Sequence, residues 1–417
     1  MTQLAPKRWY HIIPIVFITY SLAYLDRANI GFGTAGGMAK DLHITPSVSS
    51  LISSMFFLGY FFFQLPGVYY AAKNSAKKLI FWSLILWGVC AMATGIVNNV
   101  YILAATRFLL GMVEGAVFPG MLVLLSRWFT RVERSRANTF LILGNPVTIL
   151  WMSVLSGYLV QAVGWRMMFI IEGAPALVWA FFWYKMVDDT PVSANWLEQE
   201  EKRVLQATLL NEQQSIPPVK NYAEALKKSL VIILCIQYGL WSIGVYGFVI
   251  WLPSIIKAAP GTSMVTTGWL SAVPYLLAVA GMISVSYFSD KILKRTLFVW
   301  PCLLLGAIAF YASYAIGANH FWVSFALLCF AGMVMYAPYG PFFALITDLL
   351  PANVTPLAIA LINSFGALGS FAGSYFVGYL NGKTGSFHSS YIFMSASLLA
   401  AALLTVVAVR LPAKTKL

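Results

Sequence analysis

Twelve apolar stretches, each long enough to cross a bilayer, dominate this sequence and restrict what it can fold into. A membrane-spanning helix requires about 20 mostly apolar residues. Six stretches precede a polar interval and six follow it, so we predict an all-α membrane protein with twelve transmembrane helices in two six-helix bundles. The predicted spans are Tyr10–Phe32, Val48–Ala72, Leu79–Val97, Val100–Trp128, Ala137–Val163, Met167–Val187, Leu230–Ile256, Val265–Phe288, Leu297–Ala315, Trp322–Leu350, Leu357–Leu380 and Tyr391–Val409.

The low share of charged residues agrees with this prediction. Hydrophobic residues make up 60% of the chain and charged residues 10%, whereas a soluble domain carries about 25% charged residues. The chain therefore lacks the polar surface that a soluble protein presents to water, and we expect the lipid bilayer to surround it. The net charge of +13 could suggest nucleic acid, but the basic residues form short clusters between apolar stretches, so we expect no nucleic-acid partner.

The distribution of basic residues predicts the orientation. Of the 27 Lys and Arg residues, Arg27 and Arg107 lie inside predicted helices, and four fall in loops on one side, namely Lys40, Arg166, Lys257 and Lys383. All the others fall at the termini or in loops on the other side. Because cytoplasmic loops are enriched in Lys and Arg, we predict a multi-pass protein of the bacterial inner membrane with both termini in the cytoplasm.

The polar interval divides the chain. We predict a first bundle over residues 1–187, a cytoplasmic linker over 188–229 and a second bundle over 230–417. Within the linker, Asn195 and Glu198 resemble the start of a capped helix, and apolar residues follow at helical spacing. A short amphipathic helix is therefore expected, and we favour a tether between bundles over a regulatory site.

Four charged residues stand out well inside predicted spans: Asp26 and Arg27 in the first, and Arg107 and Glu114 in the fourth. A charge at a helix centre costs about 2.5–3.5 kcal/mol on insertion scales and usually marks function. Arg107 and Glu114 are two helical turns apart and share one face, with Gly111 between them. Two interpretations are open: static salt bridges between the two helices, or carboxylates whose protonation responds to substrate or conformation.

Other polar residues lie in mid-helix, and each alone is more often a helix–helix hydrogen bond than a ligand. They are Tyr24, Asn29, Asn145, Gln237, Tyr246, Tyr275, Tyr336, Tyr339 and Asn363. Glu172, in the sixth span, lies close in sequence to Arg166, and we expect a structural ion pair between them.

Enzymatic signatures are missing from the sequence. It contains no GxxxxGK[ST], HExxH or GxSxG pattern, and its four cysteines lack CxxC spacing. Those patterns are typical of nucleotide sites, metalloproteases, hydrolases and zinc sites respectively. We therefore predict that the protein is not an enzyme and needs no cofactor or metal.

Three segments resemble a known family. The segments are YLDRANIGF from Tyr24, RFLLGMVEGAVFP from Arg107, and WRMMFIIEG from Trp165 followed by DDTP from Asp188. They resemble the anion:cation symporter family of the major facilitator superfamily, and the similarity covers essentially the whole chain. The resemblance implies import of organic anions such as sugar acids and related carboxylates, usually with protons.

The resemblance also implies roles for single residues. Asp26 and Glu114 match protonatable carboxylates, Arg27 matches the ligand of the substrate carboxylate, and Arg107 matches the partner of the helix 4 acid. Polar substrate contacts align with Tyr24, Asn145 and Asn363. We add Gln237 and Tyr246 as candidates to bind substrate hydroxyl groups.

Two positions depart from the family pattern. The loop between the second and third spans usually reads GxxxxDRxGxR, whereas residues 67–77 read GVYYAAKNSAK and place Ala72 at the aspartate. The usual gate interaction is then missing or replaced. Asn145 stands where relatives carry a longer glutamine, which leaves the identity of the sugar acid open.

Together these features predict proton-coupled import of a small organic anion by alternating access. We expect a functional monomer, with sodium as an alternative coupling ion. An organophosphate–phosphate exchanger of the same fold is an alternative, although it would favour facing cations from both halves. A proton-driven drug exporter and a transporter-like sensor are further alternatives.

Overall fold

The computed structural model describes residues 6–214, 229–259, 261–292, 294–317, 320–349 and 355–410. The last part of the predicted linker, residues 215–228, lies outside the described residues. The described chain is helical nearly throughout and contains no strand.

The first bundle contains helices 1 to 6. The first four are Lys7–Gly33, Pro46–Lys73, Ala76–Ile96, and a fourth helix formed by Val100–Gly115 and Val117–Trp128. One long helical segment, Arg131–Met186, contains both helix 5 and helix 6. It breaks at Gly164, whose φ of 80° and ψ of 166° are not helical. We therefore assign residues 131–163 to helix 5 and residues 165–186 to helix 6.

The second bundle contains helices 7 to 12. Helices 7 to 9 are Ser229–Lys257, Met264–Ile292 and Thr296–Ile316, and helix 10 is formed by Phe321–Tyr336 and Tyr339–Leu349. Helices 11 and 12 are Thr355–Thr384 and His388–Arg410. A separate linker helix, Gln199–Gln214, follows the first bundle.

The predicted all-α fold of twelve spanning helices is confirmed. In the described chain, ten helical segments are long and apolar enough to cross a membrane. One of them, Phe140–Met186, contains both helix 5 and helix 6. Helix 1 is not among the ten, because polar and charged side chains interrupt its apolar sequence. Its 27 residues nevertheless reach about 40 Å at 1.5 Å per residue, which exceeds the hydrocarbon core of a bilayer.

An even number of spans places both ends of the chain on one side of the helical body. We call this the terminal side; it carries the start of helix 1, the end of helix 12 and the linker helix. The other side is called the distal side. The bundles meet through helices 1 and 7, 2 and 11, and 5 and 8.

The distal ends of these three helix pairs are in close contact. Gly31 of helix 1 packs against the main chain of Ile250 in helix 7. Gly378 of helix 11 packs against Ser50 of helix 2. A Cβ placed on Gly268 of helix 8 would lie 2.6 Å from the carbonyl oxygen of Ser153 in helix 5. These contacts leave no room for larger side chains, and they close the distal side.

On the terminal side, Asp189 supplies the carboxylate that the loop between helices 2 and 3 lacks at Ala72. Its side chain accepts hydrogen bonds from the Ser75 hydroxyl and from Arg127 Nη1, the latter at 3.4 Å. Arg127 Nη2 also donates to the carbonyl groups of Ala71, at 2.9 Å, and Ala72, at 2.8 Å. An acid after helix 6 therefore connects this loop to helix 4.

The linker helix is preceded by residues that dock on the first bundle. The Trp196 ring stacks on Trp128 with ring centroids 5.3 Å apart. Leu197 and Leu205 are buried, and Lys7 Nζ lies 3.0 Å from a carboxylate oxygen of Glu198. The amphipathic linker helix thus lies against the terminal side of the first bundle.

Candidate functional site

A narrow cavity lies between the two bundles near the middle of the molecule. Its volume is about 50 Å³, which has room for a few water molecules but not for an organic solute. The lining side chains are mainly aromatic, with amides and hydroxyl groups among them. They belong to Tyr20, Arg27, Phe57, Tyr60, Phe118, Ile142, Asn145, Tyr238, Ser242, Tyr246, Tyr339, Phe343, Asn363, Gly366, Ala367 and Ser370.

Arg27 is the one charged side chain among the described residues that line the cavity. Its Nε lies 3.1 Å from Oε2 of Glu114, and both side chains are buried, with at most 5% exposed. Arg27 Nη2 and Glu114 Oε1 have no hydrogen-bond partner. A buried donor without a partner costs about 1–3 kcal/mol. Arg27 therefore has an unused donor for an incoming acceptor.

Aromatic rings surround the Arg27 guanidinium. Its Cζ lies 4.5 Å from the ring centroid of Tyr60 and 5.1 Å from that of Tyr24. Phe56 and Tyr20 follow at 5.7 Å and 5.9 Å. A cation within about 6 Å of a ring centroid is attracted by the ring quadrupole. The rings therefore stabilise the buried cation.

Close packing of helices 2 and 4 places Glu114 in this site. A Cβ on Gly111, one turn before Glu114, would collide with the main-chain carbonyl of Phe56 in helix 2. Gly111 therefore permits the close approach of helices 2 and 4. A larger residue there would push helix 4 away and separate Glu114 from Arg27.

The pairing of the two arginines differs from the resemblance. Glu114 forms its ion pair with Arg27 rather than with Arg107. Arg107 Nη1 and Nη2 each lie 3.3 Å from the main-chain carbonyl oxygen of Asp26. Arg107 thus connects helix 4 to the main chain of helix 1, one residue before Arg27.

The Asp26 carboxylate points away from Arg27 and is buried. One oxygen accepts a hydrogen bond from the indole of Trp87 in helix 3. The other accepts one from the Asn29 side-chain amide at 3.2 Å. Asp26 is 1% exposed and does not line the cavity. It therefore lies in a second polar layer behind the cavity wall.

Glu172 belongs to this second layer, and its expected ion pair with Arg166 is wrong. Its carboxylate accepts hydrogen bonds from Ser156 at 2.6 Å and from Asn29 at 3.0 Å. Arg166 instead donates to the carbonyl oxygens of Gly95 and Val97 at the end of helix 3. The last carbonyls of a helix have no partner within the helix, which explains why they attract this guanidinium.

The polar residues predicted to contact substrate fall into two groups. Asn145, Tyr246 and Asn363 line the cavity, and Asn145 Oδ1 has no hydrogen-bond partner. Tyr24 lies behind the wall and shares a hydrogen bond with Tyr246 at 2.8 Å. Gln237 lies apart from the cavity: it is fully buried, and its amide donates to Thr405 in helix 12 at 3.1 Å.

Several residues of the site were not anticipated from the sequence. Gln64 of helix 2 accepts hydrogen bonds from Asn363 at 3.4 Å and Ser364 at 3.0 Å, and so joins the bundles next to the cavity. Its position in the apolar segment FFFQLPG was a usable signal. Trp87 and Tyr60 carried no comparable signal, because aromatic residues are common throughout the chain.

The buried charges do not balance. Asp26, Glu114 and Glu172 are three acids, whereas Arg27 and Arg107 are two bases, and all five are buried in the middle of the first bundle. The fully ionised cluster therefore carries one excess negative charge. Isolated buried charges are costly and tend to be neutralised, so this cluster favours binding of a proton.

Comparison with known proteins decides the family. The family model of the Major Facilitator Superfamily matches residues 16–374, with a second match over 255–417. This chain belongs to the major facilitator superfamily. The predicted membership is confirmed, and the chain is a multi-pass membrane transporter.

Relatives of this superfamily member include transporters of several named classes. A protein of Agrobacterium vitis named for tartrate transport is 32% identical, over 97% of this chain and 91% of its own length. A quinolone resistance transporter of Acinetobacter baumannii is 29% identical, over 95% and 92%. An Escherichia coli protein named for galactarate/D-glucarate transport is 26% identical, over 94% and 92%.

Solved structures of the superfamily share the fold. A bacterial homologue of the human lysosomal transporter Spinster, in an inward-facing and occupied conformation, matches with a TM-score of 0.78. The alignment covers 99% of this chain and 98% of that chain at 16% identity. At this identity, the match supports the twelve-helix architecture alone.

Proposed function

We propose that this protein imports a small organic anion, a sugar acid or related carboxylate, together with protons. The observation that carries the proposal is the buried Arg27, which lines the cavity with an unpartnered Nη2 while its Nε is paired with Glu114. Guanidinium groups bind carboxylates through two parallel hydrogen bonds. The relatives named for tartrate and galactarate/D-glucarate transport support an organic anion.

Glu114 would couple the anion to a proton. While Glu114 is ionised, its charge opposes a second carboxylate at Arg27. Protonation of Glu114 removes that charge and frees the attraction of Arg27 for substrate. Substrate and proton therefore bind together more favourably than either binds alone, which is the thermodynamic condition for co-transport.

Asp26 would be the second proton site. It lies one residue from Arg27, and the Arg107 guanidinium binds its main-chain carbonyl. Arg107 thus holds the helix 1 segment that carries both residues. Protonation of Asp26 would further reduce the negative charge beside the arriving anion.

The orientation in the membrane is part of the proposal. We propose that both termini are cytoplasmic, as the basic loops predict, so the closed distal side would face away from the cytoplasm. Asn145, Asn363 and Tyr246 would bind substrate hydroxyl groups. Gln237 and Tyr24, also predicted to do so, would act through helix packing in this state.

The remaining assignments extend the same proposal. We propose a location in the bacterial inner membrane and a functional monomer. The first bundle, linker and second bundle would comprise residues 1–187, 188–229 and 230–417. No catalytic reaction is proposed, and protons are preferred over sodium because Asp26, Glu114 and Glu172 sit among aromatic, amide and guanidinium groups.

Export of a drug is the second candidate, and the quinolone resistance relative favours it. The two functions differ in direction. In import, the anion accumulates inside vesicles when the outside is acidic. In export by exchange, acid outside drives the solute out of the vesicles, because proton and solute cross the membrane in opposite directions. An organophosphate exchanger is disfavoured, because the second bundle contributes no charged side chain to the described cavity wall.

Uptake by proteoliposomes with an imposed pH gradient tests the proposal. Labelled D-gluconate, D-galactonate and D-glucarate are offered to the wild type and to Asp26→Asn and Glu114→Gln variants. We expect acid outside to increase wild-type uptake of at least one acid and to have no effect on the variants. The control is Glu200→Gln on the exposed face of the linker helix, which should behave as the wild type. If a pH gradient drives both variants as well as the wild type, neither residue couples protons.

A further inference from the structure

We infer that the transported anion carries a single carboxylate group on a neutral, hydroxylated body. The inference rests on the proposed function and narrows its substrate class. Its basis is the set of side chains that would contact the end of the substrate remote from Arg27.

The two bundles contribute different chemistry to the cavity. The first contributes Arg27, whose Nη2 is free to bind an acceptor. Among the described lining residues, those of the second bundle are rings, small residues and neutral polar groups only. Its lining residues are Tyr238, Ser242, Tyr246, Tyr339, Phe343, Asn363, Gly366, Ala367 and Ser370. One end of a bound solute therefore meets a cation, and the rest meets a neutral wall.

A second carboxylate would have no cationic partner on this wall. Removing an ionised carboxylate from water without pairing it is strongly unfavourable, and proteins rarely tolerate it. A dicarboxylate would therefore bind much more weakly than a monocarboxylate of the same size.

Hydroxyl groups are better matched to the neutral wall. The carboxamide of Asn363 and the hydroxyl group of Ser242 can donate and accept hydrogen bonds. The Ser370 hydroxyl donates to the Gly366 carbonyl and can still accept. Asn145 Oδ1 is a buried acceptor without a partner, which suits a hydroxyl donor. These groups would compensate the desolvation of a polyhydroxylated body.

The inference separates this protein from relatives named for diacids. Tartrate, galactarate and D-glucarate each carry two carboxylates, whereas D-gluconate is D-glucarate with one carboxylate replaced by a hydroxymethyl group. The gluconate/glucarate pair therefore varies the second charge and leaves the sugar chain nearly unchanged.

Counterflow in proteoliposomes at pH 7.5 on both sides tests this difference. At this pH both carboxyl groups of D-glucarate are ionised. We expect the counterflow uptake of D-gluconate to exceed that of D-glucarate by about tenfold or more, a difference of about 1.4 kcal/mol or more. D-galactonate and galactarate provide a second matched pair and should show the same order.

A charge added to the neutral wall provides a second test. Asn363→Lys places a cation in the second bundle, and Asn363→Met provides similar length without charge. The lysine variant should raise the D-glucarate/D-gluconate ratio by about tenfold over the methionine variant. If the variants fail to insert, thermal-shift binding of the two acids to the wild type in detergent gives the same comparison.

The outcomes distinguish the inference from the proposed function. Preference for the monocarboxylate in both pairs supports the inference. Equal or better transport of the dicarboxylates overturns it and leaves the anion transporter intact. If neither acid of either pair binds or is transported, the inference fails together with the sugar-acid part of the proposed function.

Discussion

The hydroxyl groups of Tyr24 and Tyr246 lie 2.8 Å apart, and their hydrogen bond joins helix 1 of the first bundle to helix 7 of the second. Tyr246 also lines the cavity, directly behind which Tyr24 is buried. Any movement that separates helices 1 and 7 must break this bond. The contact therefore belongs to the state in which the distal side is closed.

Removal of either hydroxyl should weaken the closed distal side. A typical hydrogen bond contributes about 0.5–1.5 kcal/mol net, so Tyr24→Phe and Tyr246→Phe should each shift the conformational equilibrium by about two- to tenfold. The double variant should match the single ones, because all three lose the same bond. Electron-paramagnetic distances between spin labels at the exposed Asn98 and Lys383 report the distal separation. Additive effects would show that the hydroxyls act independently.

A side chain at Gly268 should prevent distal closure. A Cβ at this position would lie 2.6 Å from the Ser153 carbonyl oxygen, so Gly268→Leu forces helices 5 and 8 apart. We expect longer distances between the same two spin labels and loss of net uptake. Gly120→Ala is the matched control, since its Cβ would meet Leu79 at an ordinary 3.4 Å. Normal distances in the leucine variant would disprove the contact.

Substitution of Arg27 should weaken anion binding strongly and should lower the stability of the fold to a smaller extent. Loss of one member of a buried charge pair costs about 2–5 kcal/mol in binding, so Arg27→Gln should weaken substrate binding by about thirtyfold or more. Arg27→Lys keeps the charge but loses the two-pronged geometry and should recover little. Calorimetric titration in detergent measures the affinity. The double variant Arg27→Gln/Glu114→Gln removes the uncompensated acid, and it should restore stability without restoring binding; restored binding would exclude Arg27 as the ligand.

The stability of the terminal side at acidic pH should depend on the ionisation of Glu133. Burial raises the pKa of this carboxyl, but hydrogen bonds from Arg8 and Thr130 outweigh burial and hold the pKa below its ordinary 4.5. Arg8 Nη2 lies 2.7 Å from the carboxylate. Because the folded-state pKa is depressed, the stabilisation is complete above the ordinary value and is lost as pH falls through the folded value.

Thermal unfolding of wild type and Glu133→Gln between pH 7 and pH 3.5 measures this effect. The wild type should unfold at a higher temperature at neutral pH, and the difference should shrink below about pH 4.5. Glu200→Gln provides a control without a buried partner. A difference that grows on acidification would contradict the depressed pKa.

The arrangement of helices could be predicted from hydropathy, because the bilayer imposes one length and one polarity on every span. The meeting of Arg27 and Glu114 could be anticipated because charges inside spans seek each other. Which arginine pairs with which acid could not be predicted, because sequence spacing alone allows either Arg27 or Arg107 to approach the acids. In the folded protein, Arg27 forms an ion pair with Glu114, and Arg107 donates a hydrogen bond to a main-chain carbonyl.

Partners that come from distant parts of the chain were beyond sequence reasoning. From its closeness in sequence, Glu172 was expected to pair with Arg166. Two residues six positions apart do not share a helix face. The Glu172 carboxylate instead accepts hydrogen bonds from Ser156 and Asn29. Asp189 replaces the acid lost at Ala72. That substitution depends on where the chain turns after helix 6, which no local pattern specifies.

At Gly157 and Gly268, the main chains of helices 5 and 8 are in direct contact. Because neither glycine carries a side chain, the contact at these two positions can form and break without a change of rotamer. When the two helices separate at this contact, the exposed peptide groups are already hydrogen-bonded within their own helices. Under the proposed alternating-access function, the distal entrance would close at this contact and open again in every transport cycle.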